Sequence, residues 1–447
     1  MSLSFGTDGV RGVANRELTP ELALALGRAT ARVLGPTPSV VVGRDTRRSG
    51  PMLEAAFVAG LASEGVDALL LGVAPTPAVA WVSADAGIPG AVISASHNPF
   101  ADNGIKLFAA GGRKLADEVE AAVEAVMAEV LQLGPSDPPT GADVGSVLAI
   151  PDHVDAWLAA VAGSLEGRRL DGLRVVLDCA NGAASALAAE LFDEVGADVA
   201  VLEASPDGTN INDGCGAAHP QRLARAVVDE GAHLGLAFDG DADRCMAVDA
   251  AGLVVDGDQQ LALLGVDRLG RGALAHDTVV VTVMTNLGFR QAMAREGIAV
   301  VDTPVGDRYV LEAMEAGGFV LGGEQSGHVI QRDLATTGDG LLTGLAVADV
   351  VARTGRPLAD LAAVMTRLPQ VLVNVRLPVV AEALDGVIER ARPAVVAAES
   401  ELGDSGRVLL RRSGTEPLVR VMVEAPTAQR AEAVAAGLAA AVEAAAT

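Results

Sequence analysis

Ser39-Val40-Val41-Val42-Gly43 is a short apolar run, followed by the polar loop Arg44-Asp45-Thr46-Arg47-Arg48-Ser49-Gly50 and a helical pattern from Pro51 to Ser63. A run this short and this β-branched reads as a buried strand, so the stretch is one strand, one loop and one helix. Just ahead of it, Thr19-Pro20 opens a helix with an N-cap threonine and a proline at the first helical position, and that helix stops at Gly35-Pro36. Just after it comes another apolar run, Ala68 to Leu71. The same kind of unit returns at Leu173–Asp178 with Cys179-Ala180-Asn181-Gly182-Ala183-Ala184, and at Val279–Val283 with Met284-Thr285-Asn286-Leu287-Gly288. Strands alternating with helices predict related α/β domains with mostly parallel sheets.

Near Pro369 the pattern changes. Val371–Val375 reads as a strand, Glu382–Val396 as a helix, and two β-runs, Arg407–Leu410 and Leu418–Val423, flank a polar loop before an Ala-rich final helix. This predicts a small α+β domain. The clearest loop run is Gly134-Pro135-Ser136-Asp137-Pro138-Pro139-Thr140-Gly141, with a helix expected from about Ile150 to Ser164 beyond it. The 447 residues, at roughly 150 per domain, leave room for three domains or four small ones. The expected division is 1–149, 150–252, 253–368 and 369–447.

Half of the residues are hydrophobic but only 2% are aromatic, so the core must be built from Ala, Val and Leu. So few rings argue against base stacking, and a formal net charge of -25 argues against nucleic acid and anionic membrane surfaces as partners. A small anionic substrate remains open wherever basic residues gather. Three scattered cysteines, Cys179, Cys215 and Cys245, without a Cys-x-x-Cys pair, point to a reducing compartment. The start, Met1-Ser2-Leu3-Ser4-Phe5-Gly6-Thr7-Asp8, lacks the basic and apolar segments of a secretory signal, and no clean apolar run is long enough to span a bilayer. The expected location is the cytoplasm.

Four polar loops carry chemistry. In the first, Ala91–Ile93 breaks into Ser94-Ala95-Ser96-His97-Asn98-Pro99. Ser96 at a strand mouth is a candidate nucleophile, although turn chemistry explains the same residues. It is not the Gly-x-Ser-x-Gly elbow, because Ser94 and Asn98 stand at the glycine positions. In the second, Asp239-Gly240-Asp241-Ala242-Asp243-Arg244, three alternating carboxylates can converge on one hard cation. The EF-hand pattern fails here, with Arg244 where glycine belongs and Ala250 where glutamate belongs. Ionised aspartates this close repel by about 1 kcal/mol or more per pair at intermediate dielectric, so a metal is the better account. Three ligands leave the shell incomplete, and a phosphate oxygen is the usual complement for Mg²⁺.

The third loop, Gly322-Gly323-Glu324-Gln325-Ser326-Gly327-His328, suits a polyhydroxylated ligand and equally a polar turn between strands. The fourth, Arg411-Arg412-Ser413-Gly414-Thr415-Glu416-Pro417 with Arg420 beyond, fits a phosphate cradle. It lacks the Walker A spacing, and a hairpin connection could use the same residues. Lys106 is a general acid/base or, by default, a solvated edge lysine; Arg11 binds phosphate or ties down the N-terminus. His153, His219, His233 and His276 carry no pattern that assigns them a role. A nucleophile, a metal site, a hydroxyl-reading loop and a phosphate cradle together point to phosphoryl transfer on a sugar.

Ser94–Pro99, Asp239–Arg244, Gly323–His328 and Arg412–Pro417, in that order, resemble the α-D-phosphohexomutase superfamily from end to end. The resemblance implies three related α/β domains with mixed sheets plus a C-terminal α+β domain around a central cleft. It implies a phosphorylated Ser96, Mg²⁺ on Asp239, Asp241, Asp243 and a phosphoserine oxygen, a bisphosphorylated sugar as intermediate or activator, and a homodimer. It assigns sugar reading to Glu324, Gln325, Ser326 and Gly327, and phosphate binding to Arg412, Ser413, Gly414, Thr415 and Arg420. Lys106 then ranks first and His328 second as general acid/base, with Arg11 and Arg244 holding the transferring group. His97 becomes a residue that shapes the phosphoserine loop.

The segments Phe5–Gly12 and Thr336-Thr337-Gly338-Asp339-Gly340, with Gln325, resemble the branch that acts on glucosamine phosphates. The expected reaction is interconversion of glucosamine 6-phosphate and glucosamine 1-phosphate. Mannose and glucose phosphates, a non-catalytic sugar-phosphate sensor and a metal-dependent phosphatase stand as the alternatives.

Overall fold

The computed structural model describes residues 9–35, 37–133, 138–378, 383–412 and 418–446. Its first sheet comprises β1 (Val10–Val13), β2 (Ser39–Arg44), β3 (Asp67–Val73), β4 (Gly90–Ile93), β5 (Asp102–Ala109), β6 (Arg113–Lys114) and β7 (Val147–Ala149). The order is β1-β5-β4-β2-β3-β7, with β6 paired on β5. Strands β7, β3, β2 and β4 run parallel, and β5 is antiparallel to both β4 and β1.

The second sheet holds β8 (Arg174–Asp178), β9 (Asp198–Leu202), β10 (Leu234–Phe238), β11 (Cys245–Asp249) and β12 (Val254–Val255), in the order β12-β11-β10-β8-β9. The third holds β13 (Thr278–Thr282), β14 (Ala299–Thr303), β15 (Leu321–Gly323) and β16 (Val329–Gln331), in the order β14-β13-β15-β16. In both, three parallel strands are closed by an antiparallel fourth.

One arrangement therefore recurs three times. Numbered within each unit, the strands lie in the order 2-1-3-4, with strand 4 reversed: β3-β2-β4-β5, β9-β8-β10-β11 and β14-β13-β15-β16. The connection between strands 3 and 4 is the Ser96 loop in the first sheet, the Asp239 loop in the second and the Glu324 loop in the third. All three leave the carboxyl end of a parallel strand, where open α/β sheets bind ligands.

Local signals explain the elements. Thr19 caps the helix Pro20–Val33, its Oγ1 accepting from Leu22 N–H. Small residues allow the packing that an aromatic-poor chain needs: a Cβ on Gly27 would stand 2.1 Å from the Phe57 carbonyl of the helix Gly50–Ala62. The first core packs Val40, Val42, Leu26, Leu53, Phe57 and Ile93. Burial at about 25 cal/mol per Å² of apolar surface drives this assembly.

The chain divides into two compact units, Met1–Met284 with Ile298–Val364, and Thr285–Gly297 with Met365–Thr447. The second contains the antiparallel sheet of β17 (Gln370–Arg376), β18 (Arg407–Arg412) and β19 (Leu418–Glu424), ordered β17-β19-β18, with helices Leu384–Leu402 and Ala428–Ala445 packed on it. Glu424 is fully buried there. It pairs with Arg407 at 3.1 Å and accepts Leu287 N–H at 2.9 Å, anchoring the helix Leu287–Glu296. No helix among the described residues is long and apolar enough to cross a membrane.

Candidate active site

Ser96 follows β4 by three residues and sits at φ +52°, in the left-handed region. A non-glycine residue held there stores about 1–3 kcal/mol of strain and persists only when its surroundings impose it. Its N–H donates to Ser94 Oγ (2.9 Å), and Ser94 Oγ donates to Asp45 Oδ2 (2.6 Å). Its own Oγ donates to Asp239 Oδ2 at 2.6 Å, across the boundary between the first two sheets. His97 Nδ1 is 3.4 Å from the same Oγ. Burial, then the Arg244 and Arg11 guanidiniums, push His97 down to about 4. A base that weak is a poor acceptor for a serine proton. The structure thus sets His97 beside the serine, with Arg11 (on β1) and Arg244 near that imidazole.

The three aspartates follow β10. Their side chains are buried and offer oxygens within 4.8 Å of one another, the one such group found among the described residues. Gly240 makes the approach to Ser96 possible, since a Cβ there would lie 2.6 Å from the Ser96 carbonyl. Thr76 Oγ1 donates to Asp241 Oδ2 (2.7 Å), and Lys106 Nζ lies 2.7 Å from the same oxygen and 3.5 Å from Asp243 Oδ2. Asp241 Oδ1 is buried with no hydrogen-bond partner.

Burial, with Asp243 and Asp241 beside it, raises Asp239 well above the usual carboxylate range. Burial pushes Asp243 up too, but Lys106, His328 and Arg244 outweigh it and hold that carboxyl well below the range. Three clustered carboxylates, an unpartnered buried oxygen and all-oxygen donors fit a hard divalent cation such as Mg²⁺.

Lys106 is 2% exposed and lies on β5, between β1 and β4. The expectation of a solvated edge lysine is therefore corrected: β1 covers that edge, and two carboxylates compensate the buried ammonium.

In the third loop Glu324 N–H donates to the His328 carbonyl (2.9 Å) and Gly327 N–H to the Glu324 carbonyl (3.1 Å). Glu324 Oε1 accepts Gly306 N–H (3.1 Å), and Gln325 Nε2 donates to Asp256 Oδ2 (3.2 Å). Ser326 Oγ is buried without a partner. Cys245 N–H donates to the Gly327 carbonyl (3.0 Å), tying this loop to the aspartate loop. His328 is buried between Asp243 (3.6 Å from Nδ1) and Asp307 (3.3 Å from Nε2). Burial pushes it down, but Asp243 and Asp307 bring it up to about 9. Against this, Gly338 N–H donates to Nε2 at 3.1 Å, which fits the neutral ring with its proton on Nδ1. That backbone donor, rather than the charge balance, favours the neutral tautomer, because a protonated Nε2 could not accept it.

Ser413, Gly414 and Thr415 lie outside the described residues, as does Phe5–Asp8. Within the C-terminal unit, the β18–β19 register sets Arg411 directly opposite Arg420, so the two share one face of the sheet. Burial and Arg420 lower the Arg411 guanidinium below its ordinary value. Arg412 points to the other face by strand alternation, with its side chain 58% exposed and 3.5 Å from Asp385. Arg411 and Arg420 thus face the same side, while Arg412 faces the other.

Asp45, Arg47, Thr76 and Asn212 were missed. Arg47 is fully buried and pairs with Asp45 at 2.8 Å. Its Nη2 donates to the carbonyls of Ser96 (2.9 Å) and Asn98 (2.8 Å), and its Nη1 to those of Asp102 (3.0 Å) and Pro99. Removing one partner of a buried pair costs about 3–5 kcal/mol.

Family models for phosphoglucomutase/phosphomannomutase match four successive segments: alpha/beta/alpha domain I at residues 2–133, domain II at 152–252, domain III at 256–368 and the C-terminal domain at 372–441. The chain belongs to this family, the α-D-phosphohexomutases. Within it, a phosphoglucosamine mutase of Streptomyces griseus is 58% identical over 447 residues, 98% of each chain. One from Frankia casuarinae is 60% identical over 450 residues, covering 98% of this chain and 97% of its own. Among solved structures, a phosphoglucomutase/phosphomannomutase family protein from Burkholderia thailandensis superposes with a TM-score of 0.83 at 25% identity, covering 98% of this chain and 97% of its own. The Aspergillus fumigatus N-acetylphosphoglucosamine mutase, solved with GlcNAc-6P and magnesium, shares the phosphohexomutase fold at a TM-score of 0.69 and 19% identity, covering 100% of this chain and 96% of its own.

Proposed function

We propose that the chain is a phosphohexomutase that interconverts glucosamine 6-phosphate and glucosamine 1-phosphate by intramolecular phosphoryl transfer. The observation that carries this reading is the Ser96 hydroxyl held 2.6 Å from Asp239 within a buried three-carboxylate cluster. Near-full-length identity to phosphoglucosamine mutases supports the amino sugar.

Ser96 enters the reaction as a phosphoserine. Its Oγ–P bond breaks as a sugar hydroxyl oxygen bonds to the phosphorus, which gives a bisphosphorylated sugar. Ser96 Oγ then bonds to the phosphorus of the other phosphate as that phosphorus's bond to the sugar oxygen breaks, and the proton of the Ser96 hydroxyl ends on the freed sugar hydroxyl. The hydroxyl proton passes to a general base, Lys106 as first candidate once its ammonium has given up a proton, or His328 as second. Asp239, Asp241 and Asp243, with a phosphoserine oxygen, would hold Mg²⁺, which would supply charge neutralisation. Arg11 and Arg244 hold the transferring group, and Glu324, Gln325, Ser326 and Gly327 bind the sugar hydroxyls. In the C-terminal unit, Arg420 with Arg412, Ser413, Gly414 and Thr415 takes a sugar phosphate, and Arg411 joins them. The same reading divides the chain at 149/150, 252/253 and 368/369 and has it act as a cytoplasmic homodimer.

Intact-protein mass spectrometry tests the nucleophile: a phosphorylated species is expected, and Ser96→Ala abolishes both it and turnover. Phosphorylation and turnover that survive in Ser96→Ala would sink the assignment. Rates on glucosamine, glucose and mannose phosphates, measured side by side, test the sugar; the glucosamine phosphates should be the fastest.

A further inference from the structure

The serine loop is held by its main-chain carbonyls from two sides. From its own sheet, the Arg47 guanidinium reaches the carbonyls of Ser96 and Asn98 at 2.9 and 2.8 Å. From the second sheet's unit, Asn212 Nδ2 donates to the same two carbonyls, at 2.9 and 3.1 Å. Arg47 sits in the loop after β2 and Ser96 in the loop after β4, so the pair straddles the place where the strand order of the first sheet reverses. In open α/β sheets that crevice receives ligand; here the buried Arg47 lies beside it, bonded to Asp45 and to the carbonyls of the serine loop.

The chemistry of the contacts defines the role. A planar guanidinium presents a rigid fork of donors, and the Asp45 carboxylate fixes that fork at 2.8 Å. The fork and the Asn212 amide hold the carbonyls of the two residues that flank His97, which keeps Ser96 at φ +52°. In that conformation Oγ meets Asp239 rather than turning away. Asn212 is itself in the left-handed region, at φ +58°, with its N–H on the Ala180 carbonyl (3.0 Å). The second sheet therefore supplies both the carboxylate that faces the serine and the amide that fixes the serine's backbone.

We propose that Arg47 and Asn212 are positioning residues that clamp the phosphoryl-carrying loop and set the geometry of transfer without touching substrate. The proposal rests on the mutase reading for its kinetic arm and on the structure alone for its exchange arm.

Asn212→Ala is the decisive variant, because it removes a neutral group and leaves the Asp45–Arg47 pair intact. With glucosamine 6-phosphate as substrate, kcat should fall by roughly 10- to 100-fold, the scale of a small misplacement at a reacting centre. KM should stay within about twofold, the split expected when ground-state binding is untouched. Amide hydrogen exchange over residues 94–102 should rise while the melting temperature holds. Arg47→Lys keeps the charge and loses the fork, and should show the same split more strongly. A kcat for Asn212→Ala within about twofold of wild type overturns the clamp, as does a loss carried wholly by KM. If the wild-type protein turns over none of the three hexose phosphates, the mutase reading fails by itself. Exchange then decides the clamp, and unchanged protection over 94–102 in Asn212→Ala overturns it.

Discussion

The Ser96 loop leaves β4 and the Asp239 loop leaves β10 at the same topological position, and each carries one residue in the left-handed region, Ser96 and Ala242. Their carbonyls are satisfied by different means. In the serine loop, side chains of Arg47 and Asn212 take the oxygens of Ser96 and Asn98. In the aspartate loop, backbone N–H groups do this: Ala183 bonds Gly240 (2.8 Å), Thr76 bonds Asp241 (2.9 Å) and Gly340 bonds Ala242 (2.9 Å). The Thr76 and Gly340 donors lie at the starts of the helices Thr76–Ala86 and Gly340–Thr354. Support by backbone survives most substitutions of the supporting residue, whereas support by side chain is lost with a single one. The serine loop is the half of the site that point mutation unseats, and the aspartate loop is changed chiefly through its own carboxylates.

The largest expected effect tests the second half directly. Asp241→Asn should raise the Mg²⁺ needed for half-maximal rate sharply and lower kcat/KM by on the order of 10³-fold, since a bound cation stabilises the transition state by several kcal/mol. Metal titration of the rate checks this, and an unchanged Mg²⁺ dependence removes the loop from the mechanism. Next is the contact between the loops. Gly240→Ala places a Cβ 2.6 Å from the Ser96 carbonyl, and should lower kcat by about 10²-fold through misplacement with metal affinity retained. Equal losses of both would mean that the two loops are not separately held.

Thr76 sharpens the comparison, because it supports the aspartate loop by backbone and by side chain. Thr76→Val keeps the N–H and removes only the hydroxyl on Asp241. Mg²⁺ affinity should weaken by roughly 10- to 100-fold, the usual cost of losing a partner that orients a metal ligand, and kcat at saturating Mg²⁺ should recover. Failure to recover would show that Thr76 does more than orient the carboxylate. The smallest effect extends the comparison to the β18–β19 hairpin, where register selects the side chain. Arg411→Ala should raise KM about tenfold, as expected for a charge-assisted hydrogen bond to phosphate. Arg412→Ala should stay within about twofold, as for an exposed ion pair. Steady-state kinetics with a phosphosugar decides it, and the reverse order would return the role to Arg412.

Much of this was legible in the chain itself. The run Leu173–Asp178 forms β8 over Arg174–Asp178, and Thr19-Pro20 opens its helix as the cap rules require. Asp239, Asp241 and Asp243 cluster because their alternation in one loop already brings them together. The burial of Lys106 was not legible. It depends on β1, nearly a hundred residues away, pairing onto β5, and no local pattern encodes that. Arg47 read as one charge in a polar loop because its partners are carbonyls, which no side-chain motif announces.

The sequence by itself determined the alternation of strands and helices, the four polar loops and the order of residue types along them. These are local properties, written in periodicity, turn chemistry and spacing. Only the tertiary structure decided that the three loops of the first unit are equivalent, each joining the third and fourth strands of a 2-1-3-4 sheet. It alone brought Ser96 to Asp239, 143 positions apart, and revealed a serine loop held from behind by a buried arginine and from the next sheet by an asparagine. The physical reason is that strand order and loop-to-loop contact are set by which faces bury together, and that choice belongs to the whole chain.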